Sequence, residues 1–383
     1  MGIIAGSSGK TSTSYAETSL QGTNRPHDKR SVVEAIEFIG REDTPLLSKL
    51  STGQKATQNR HSWLQRKVSE ADRKPVAEVS GFTGGTKPST QRLDNATEIF
   101  KHEDFISQAA KDTVTYGASE QSLMERDLVL KHKKTMEQAI LGISRKVITG
   151  TSEYTYTSLD ADPAIAAKMS LIAAPKFRSG DGTNAADASQ MAGIFHFLAN
   201  TGKLQAELDA GTFRNLTTGF TNKWMGNIRA FDSAYNTTGT KTSIDRKHIH
   251  ELIRKMTDYG VKPVNGAFDL YCGGDLLDTI TDMYKDNRRG TMTDKEIGYQ
   301  VETIVTPFGR ARIQYHADFN DANGLGDALL VGNFSYLQKA YLTDTTKSNP
   351  STDQTADLVR YYSDMTLVVK NAFAFAAGFG LKA

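Results

Sequence analysis

The chain has 383 residues, 38% of them hydrophobic, and its 46 Lys and Arg nearly cancel its 44 Asp and Glu, leaving a net charge of +2. The length accommodates one large domain or two ordinary ones, while the low apolar fraction implies a modest core with much of the chain at surfaces and contacts. Near-neutrality argues against a dedicated nucleic-acid binder, which carries a marked basic excess on one face, and the single cysteine, Cys272, excludes an intrachain disulfide and a multi-cysteine zinc site.

Residues 1–30 are rich in Gly, Ser and Thr and read as a mobile arm, because so few large apolar side chains cannot offset the entropy of ordering. Within them Gly6-Ser7-Ser8-Gly9-Lys10-Thr11 has the look of a phosphate-binding loop. That loop needs four residues between its glycines to wrap the phosphates; here only Ser7 and Ser8 intervene, and Ile4 stands where the first Gly belongs. A leader peptide is not expected, since Ile3, Ile4 and Ala5 make too short an apolar run. Ser31 to Leu50 reads as short and partly helical through Val32, Ala35, Ile36 and Ile39, with Pro45 limiting it.

From Thr52 to Phe105 the pattern changes. His61–Val68 and Ala96–Ile106 read as strands with polar residues on both faces, and Pro75, Gly81, Gly84, Gly85 and Pro88 break the chain between them. Such a hairpin has little core and a weakly specified register, so it is expected to protrude and to pack on another subunit. Arg73, Lys74, Lys87 and Arg92 are its candidate contact residues. The plainer alternative is a loose surface insertion.

Ser119 to Ile148 reads as the longest helix, with a stripe of Leu123, Met124, Leu128, Met136, Ile140, Ile143 and Val147. Ser122 with Glu125 fits a capping box and Gly150 a stop. About 30 residues give roughly 45 Å, the length of a spine. Lys131, Lys133 and Lys134, beside His132, form a basic cluster on it, read first as a solvated face and second as a contact for a polyanion.

Beyond residue 185 helices and strands mix. Met191–Asn200 and Asp275–Tyr284 read as helices. Ile244–Tyr259 is amphipathic through Ile249, Leu252, Ile253 and Met256, and Phe268–Cys272 is a short strand. Val301–Val305 and Arg310–His316 flank a Pro307-Phe308-Gly309 turn, with Ala311, Ile313 and Tyr315 on one face. Ala328–Val331 and Tyr336–Leu342 read as strands, and Asp344–Asp357 as a polar connector. The final segment alternates from Met365 to Phe379, which predicts one long strand burying Leu367, Val369, Phe373 and Phe375. Lys370 and Asn371 interrupt the apolar stretch Leu367–Leu381, leaving it too short to span a bilayer.

Three sets of residues tempt a chemical reading. His248 and His250 on a helix diverge by about 200° and cannot share a metal, and His248 with Glu251 supplies only two ligands. Asp318-Phe319-Asn320-Asp321-Ala322-Asn323-Gly324 resembles a calcium loop, but Ala322 breaks its oxygen series and the distal Glu is missing, so it reads as a turn. Cys272 reads as a small buried residue and Trp63 and Trp224 as packing anchors. No catalytic constellation, metal site or cofactor site is expected.

Several strings occur in a telling order: Glu42-Asp43-Thr44-Pro45-Leu46-Leu47, Trp63 on the first hairpin strand, Thr97-Glu98-Ile99-Phe100 on its return, Val301–Gly309 leading into Arg310-Ala311-Arg312-Ile313, Tyr336–Leu342, and Met365–Asn371. From about residue 31 onward the chain resembles the tailed-phage major capsid proteins with the Hong Kong 97 (HK97-like) fold, nearest the SU10 branch. The resemblance implies an α+β fold and a self-assembling shell subunit. Its parts would be an N-terminal arm (1–30), an extended loop (52–105), a peripheral domain (31–51, 106–185 and 356–383) and an axial domain (186–355). It implies hexamers and pentamers around packaged double-stranded DNA, with a separate scaffolding protein, a portal and a decoration protein as candidate partners and the virion as location, after synthesis in the host cytoplasm. The Lys131, Lys133 and Lys134 cluster would face the lumen. A near-neutral lumen fits, because a strongly basic one would hold each phosphate and resist DNA sliding. Two other classes stay open on the residues alone: a nucleotide-binding enzyme using Gly6–Thr11, and a protein forming open tubes or filaments.

Overall fold

The computed structural model describes residues 43–66, 90–113, 119–143, 188–198, 227–230, 242–263, 266–284, 302–323, 325–351 and 355–382, with Glu78 and Gly81. The expected N-terminal arm with its Gly6–Thr11 stretch, the hairpin tip with Arg73, Lys74 and Lys87, and Trp224 lie outside them.

In chain order the first half contributes α1 (Pro45–Lys49), β1 (Ser51–Thr52), β2 (Arg60–Arg66), β3 (Thr90–Ala96), β4 (Glu98–Ser107), α2 (Gln108–Asp112), α3 (Glu120–Leu141) and α4 (Ile194–Leu198). There follow β5 (Asn227–Ala230), β6 (Thr242–Ser243), α5 (Arg246–Asp258), β7 (Phe268–Cys272), α6 (Gly274–Met283), β8 (Thr303–Thr306) and β9 (Gly309–Tyr315). The chain closes through β10 (Leu329–Gly332), β11 (Leu337–Ser348), β12 (Ala356–Val369), β13 (Phe375–Phe379) and β14 (Leu381–Lys382).

Two sheets organise the molecule. One has the order β1-β11-β12-β4, and the other β5-β13-β10-β7-β9-β8. In the first, β12 runs antiparallel to both β11 and β4, so its backbone is paired on both edges. Helix α3 lies across this sheet and buries Leu128, Met136 and Ile140. It ends earlier than its sequence predicts. Gly142 takes φ +82° as a left-handed cap, its N–H bonding the carbonyls of Gln138 and Ala139. Gly142 is thus the stop, where the sequence suggested Gly150. Its start agrees with the sequence, with Ser119 as the N-cap, but Glu125 pairs with Lys347 on β11 at 2.6 Å instead of closing a capping box with Ser122. Gly193, just before α4, passes so close to this cap that a Cβ there would lie 2.2 Å from the Gly142 nitrogen.

The second sheet carries α5 and α6. Helix α5 buries the stripe Ile249, Leu252, Ile253 and Met256. Its N-cap Asp245 forms a capping box with His248, whose Nδ1 accepts the Asp245 N–H at 3.0 Å. Strands β8 and β9 form the hairpin read from the sequence, burying Ile304, Ala311 and Ile313, but Tyr315 is exposed.

The final segment departs from the single strand that alternation predicted. β12 ends at Val369, Asn371 accepts the Phe373 N–H, and a 3-10 turn over Ala372–Ala374 carries the chain into β13 of the other sheet. Leu367, Val369 and Phe375 are buried, whereas Phe373 sits in the turn, half-buried and stacked on Tyr259 at 4.1 Å. The expected connector is partly strand, since β11 runs to Ser348 and β12 starts at Ala356. One core cluster joins the two sheets, from Leu46 and Ile140 through Phe195 and Tyr271 to Phe375.

Candidate assembly surfaces

The hairpin β2–β3 forms its own two-stranded sheet, in register from Arg60 opposite Ala96 to Arg66 opposite Thr90. Its polar residues, which the sequence offers as a sign of weak anchoring, attach both ends of its ladder to the subunit itself. The buried Asn95 amide donates to the carbonyls of Ala192 (3.1 Å) and Leu367 (2.8 Å), and its oxygen accepts the Ala192 N–H. Gln65 donates to the carbonyls of Val369 and Lys370 at 3.1 and 2.7 Å. Trp63 packs 6.0 Å from Phe197. The Asn95 bonds satisfy groups that would otherwise be stranded in the interior.

The opposite face of β2 turns outward, with Leu64 70% exposed beside Arg66. Arg92 pairs with buried Asp94 on its own strand at 3.1 Å, and Arg60 approaches the same carboxylate at 3.8 Å. Beyond Ala96 the chain runs through Thr97 straight into β4, which is paired to β12 from Glu98 to Ser107. β4 is the outer strand of its sheet among the described residues, and it exposes Ile99 and Phe105.

Beneath α3 lie two buried polar clusters that sequence reasoning missed. Glu137 accepts the N–H groups of Leu46 (2.8 Å) and Leu47 (2.6 Å), the first turn of α1, and the Nε2–H of His316 at 2.9 Å. A carboxylate there caps a helix N-terminus too short to stand alone. His316 in turn accepts the Asp318 N–H on Nδ1, and the Asp318 carboxylate accepts from Gln138. The calcium-loop lookalike therefore serves as an internal turn. One residue row away, His132 bonds Ser363 at 2.7 Å through Nε2 and His102 at 3.0 Å through Nδ1. Burial, then the neighbouring His102, lowers the His132 pKa to about 4. Lys131 and Lys133, which flank His132, are exposed, and Lys134 is half-buried.

None of the other tempting residues comes together. Cys272 is fully buried and its thiol is pushed up to about 12. His248 is a capping residue, while His250 and Glu251 line a shallow surface cleft with Lys247 and Arg254. Among the described residues no group of three His, Cys, Asp or Glu side chains could hold a metal ion, and no helix is long and apolar enough to cross a membrane.

A family model described as SU10 major capsid protein matches residues 11–160 and 166–382. No curated protein matches the chain in sequence. Among solved structures it is similar to the capsid of cyanophage A-1(L), with TM-score 0.57, 12% identity, and 93% of this chain and 97% of that one covered. The capsid of a native GTA particle gives 0.55 and 10%, covering 96% and 99%. The capsid of Myoviridae phage XM1 gives 0.51 and 11%, covering 92% and 97%.

Proposed function

The chain belongs to the SU10 major capsid protein family, and on that footing we propose how it builds the head shell of a tailed phage. The family match across nearly the whole chain carries the reading. The subunit is structural, and copies of it close into hexamers and pentamers, where many modest interfaces add up through symmetry. The four-stranded sheet with α3 forms the peripheral domain, and the six-stranded sheet with α5 and α6 the axial domain. Because β4 is built into the peripheral sheet, and Asn95 near the base and Gln65 at the far end of the ladder fasten the hairpin to its own subunit, the extended loop is narrower than 52–105 and lies within 60–96.

That loop overlaps an adjacent subunit through its outward face, with Arg73, Lys74, Lys87 and Arg92 setting register more than affinity. Lys131, Lys133 and Lys134 face the lumen and touch packaged DNA without sequence preference. A separate scaffolding protein and a portal complete the head, and a decoration protein is a further partner.

Deleting residues 70–90 tests the overlap. Circular dichroism and sedimentation should show folded, soluble subunits, and electron microscopy should show shells lost or deformed. Normal shells from the deletion would refute the overlap. Open tubes from the intact chain would favour a filament, and activity lost on Lys10→Ala would favour a nucleotide enzyme.

A further inference from the structure

Two surfaces of the six-stranded sheet and its helices carry opposite charges that no described residue neutralises. On the β8–β9 hairpin, Val305 lies opposite Arg310 and Thr303 opposite Arg312, which puts all four on one face. Val305 is 69% exposed and both arginines are exposed, about 7 Å apart along the strand. Among the described residues neither arginine has an acidic partner. The nearest lateral residue on β7, Asp269, is held by Lys49 at 2.6 Å. Among the described residues β8 is the edge of the sheet, so this face lies at the rim.

The second surface is α6. Leu276 and Ile280 bury its inner side, and Asp275, Asp278 and Asp282 are exposed. At about 100° per residue the three fall within an arc of about 60°, spaced by roughly 4.5 and 6 Å along the axis. None has a basic partner among the described residues. Asp275 suits the helix N-terminus, but Asp282 in the last turn opposes the dipole, so helix stability does not explain the stripe. Tyr315, exposed, borders it: its ring lies 3.8 Å from where a Cβ on Gly274 would sit.

The two surfaces point opposite ways. A Cβ on Gly309 would point at Phe268 and at Ile253 of α5, so the Ala311 and Ile313 side of β9 faces the helices. Arg246 of α5 donates to the Met283 carbonyl at the end of α6 at 2.7 Å, which sets α6 on that same side. Arg310 and Arg312 therefore lie on the bare side. Two unlike, complementary patches on opposite sides of one chain cannot pair about a two-fold axis; they pair head to tail, which makes a ring where the rotation from copy to copy closes.

We infer that Val305, Arg310 and Arg312 of one subunit seat on Tyr315, Asp275, Asp278 and Asp282 of the next copy of this chain. The inference rests on the shell reading and names a contact that closes its rings. Arginines about 7 Å apart meet carboxylates about 6 Å apart, with an apolar side chain beside each set.

The test uses three full-length variants: Arg310→Glu with Arg312→Glu; Asp275→Lys with Asp278→Lys and Asp282→Lys; and all five together. Assembly is followed by sedimentation and electron microscopy at low salt. Each one-sided variant should assemble about tenfold more slowly or worse, and the five-fold variant should recover. Mixing the two one-sided variants should restore contacts only in alternating order, which closes rings of six and not of five. A chain carrying Val305→Cys and Asp278→Cys, treated with a short bismaleimide, should give a ladder of linked subunits. Wild-type rates in both one-sided variants, or no ladder, would overturn the contact. If shells still close in that case, the shell reading survives. A ladder from wild-type-like material that never closes would keep the contact and sink the closed shell.

Discussion

Glu137 is the side chain whose loss should damage the fold most per atom removed. Its two oxygens accept from Leu46, Leu47 and His316 at 2.8, 2.6 and 2.9 Å, and the carboxylate is fully buried. Glu137→Ala strands three donors away from water. Each orphan is worth about 1–3 kcal/mol, and breaking a buried charged cluster by removing one member costs about 3–5 kcal/mol, which is the expected loss here. Glu137→Gln keeps the shape. Its oxygen can still take the Leu46 and His316 donors, but its amide group then opposes the Leu47 N–H, for a loss of about 1–3 kcal/mol. Glu125→Ala, which removes the exposed pair with Lys347 and a 3.3 Å bond from the Gln121 amide, should cost about 0–1 kcal/mol. Urea denaturation of unassembled subunits, followed by circular dichroism, should rank the chains wild type, Glu125→Ala, Glu137→Gln, Glu137→Ala. A Glu137→Ala midpoint equivalent to less than about 0.5 kcal/mol of change would refute the reasoning.

Three further outcomes follow from the packing. His132 stays neutral in the folded subunit until about pH 4, whereas the unfolded chain binds its proton near 6.5. The unfolded state therefore gains protons first, so stability present above pH 6.5 should be lost as pH falls toward 4, and His132→Gln should flatten that slope in denaturation midpoints. Phe375→Ala should cost about 3–5 kcal/mol because its ring is fully buried against Phe334. Phe373→Ala, losing a half-buried stack on Tyr259, should cost about 1 kcal/mol, and equal losses in thermal melts would contradict the turn between the two rings. Gly193→Ala should cost about 1–3 kcal/mol or more, since its Cβ would meet the Gly142 backbone; a melting temperature unchanged from wild type would dismiss the close approach.

Local patterns carried what local physics decides. The α5 stripe, the β7 strand and the buried face of the β8–β9 hairpin follow from period and turn chemistry, and the structure has each in place. The turn after β12 was illegible because Asn371–Ala374 preserves the alternation while changing the sheet. The anchoring of the hairpin was illegible for a different reason. Asn95 and Gln65 look like surface residues until the carbonyls of Leu367 and Val369 come beside them, and those lie far along the chain. Glu137, His316 and Asp318 likewise gain meaning only when helix, turn and strand converge.

The crossing of the β12–β13 segment between sheets also sets an order of events during synthesis. β4 pairs from Glu98 to Ser107 with a strand whose partners are Met365 to Ala356, and β10 and β5 both pair with β13. Every other strand of the four-stranded sheet except β1 meets β12, and that strand is translated after all the others of its sheet. A nascent chain therefore carries an unfinished sheet on each side until this segment arrives, and its ladders join residues far apart in sequence, which makes folding slow. Prematurely terminated chains lack the strand that completes both halves. They cannot present the finished surfaces that neighbours read, so translation itself withholds assembly from incomplete products.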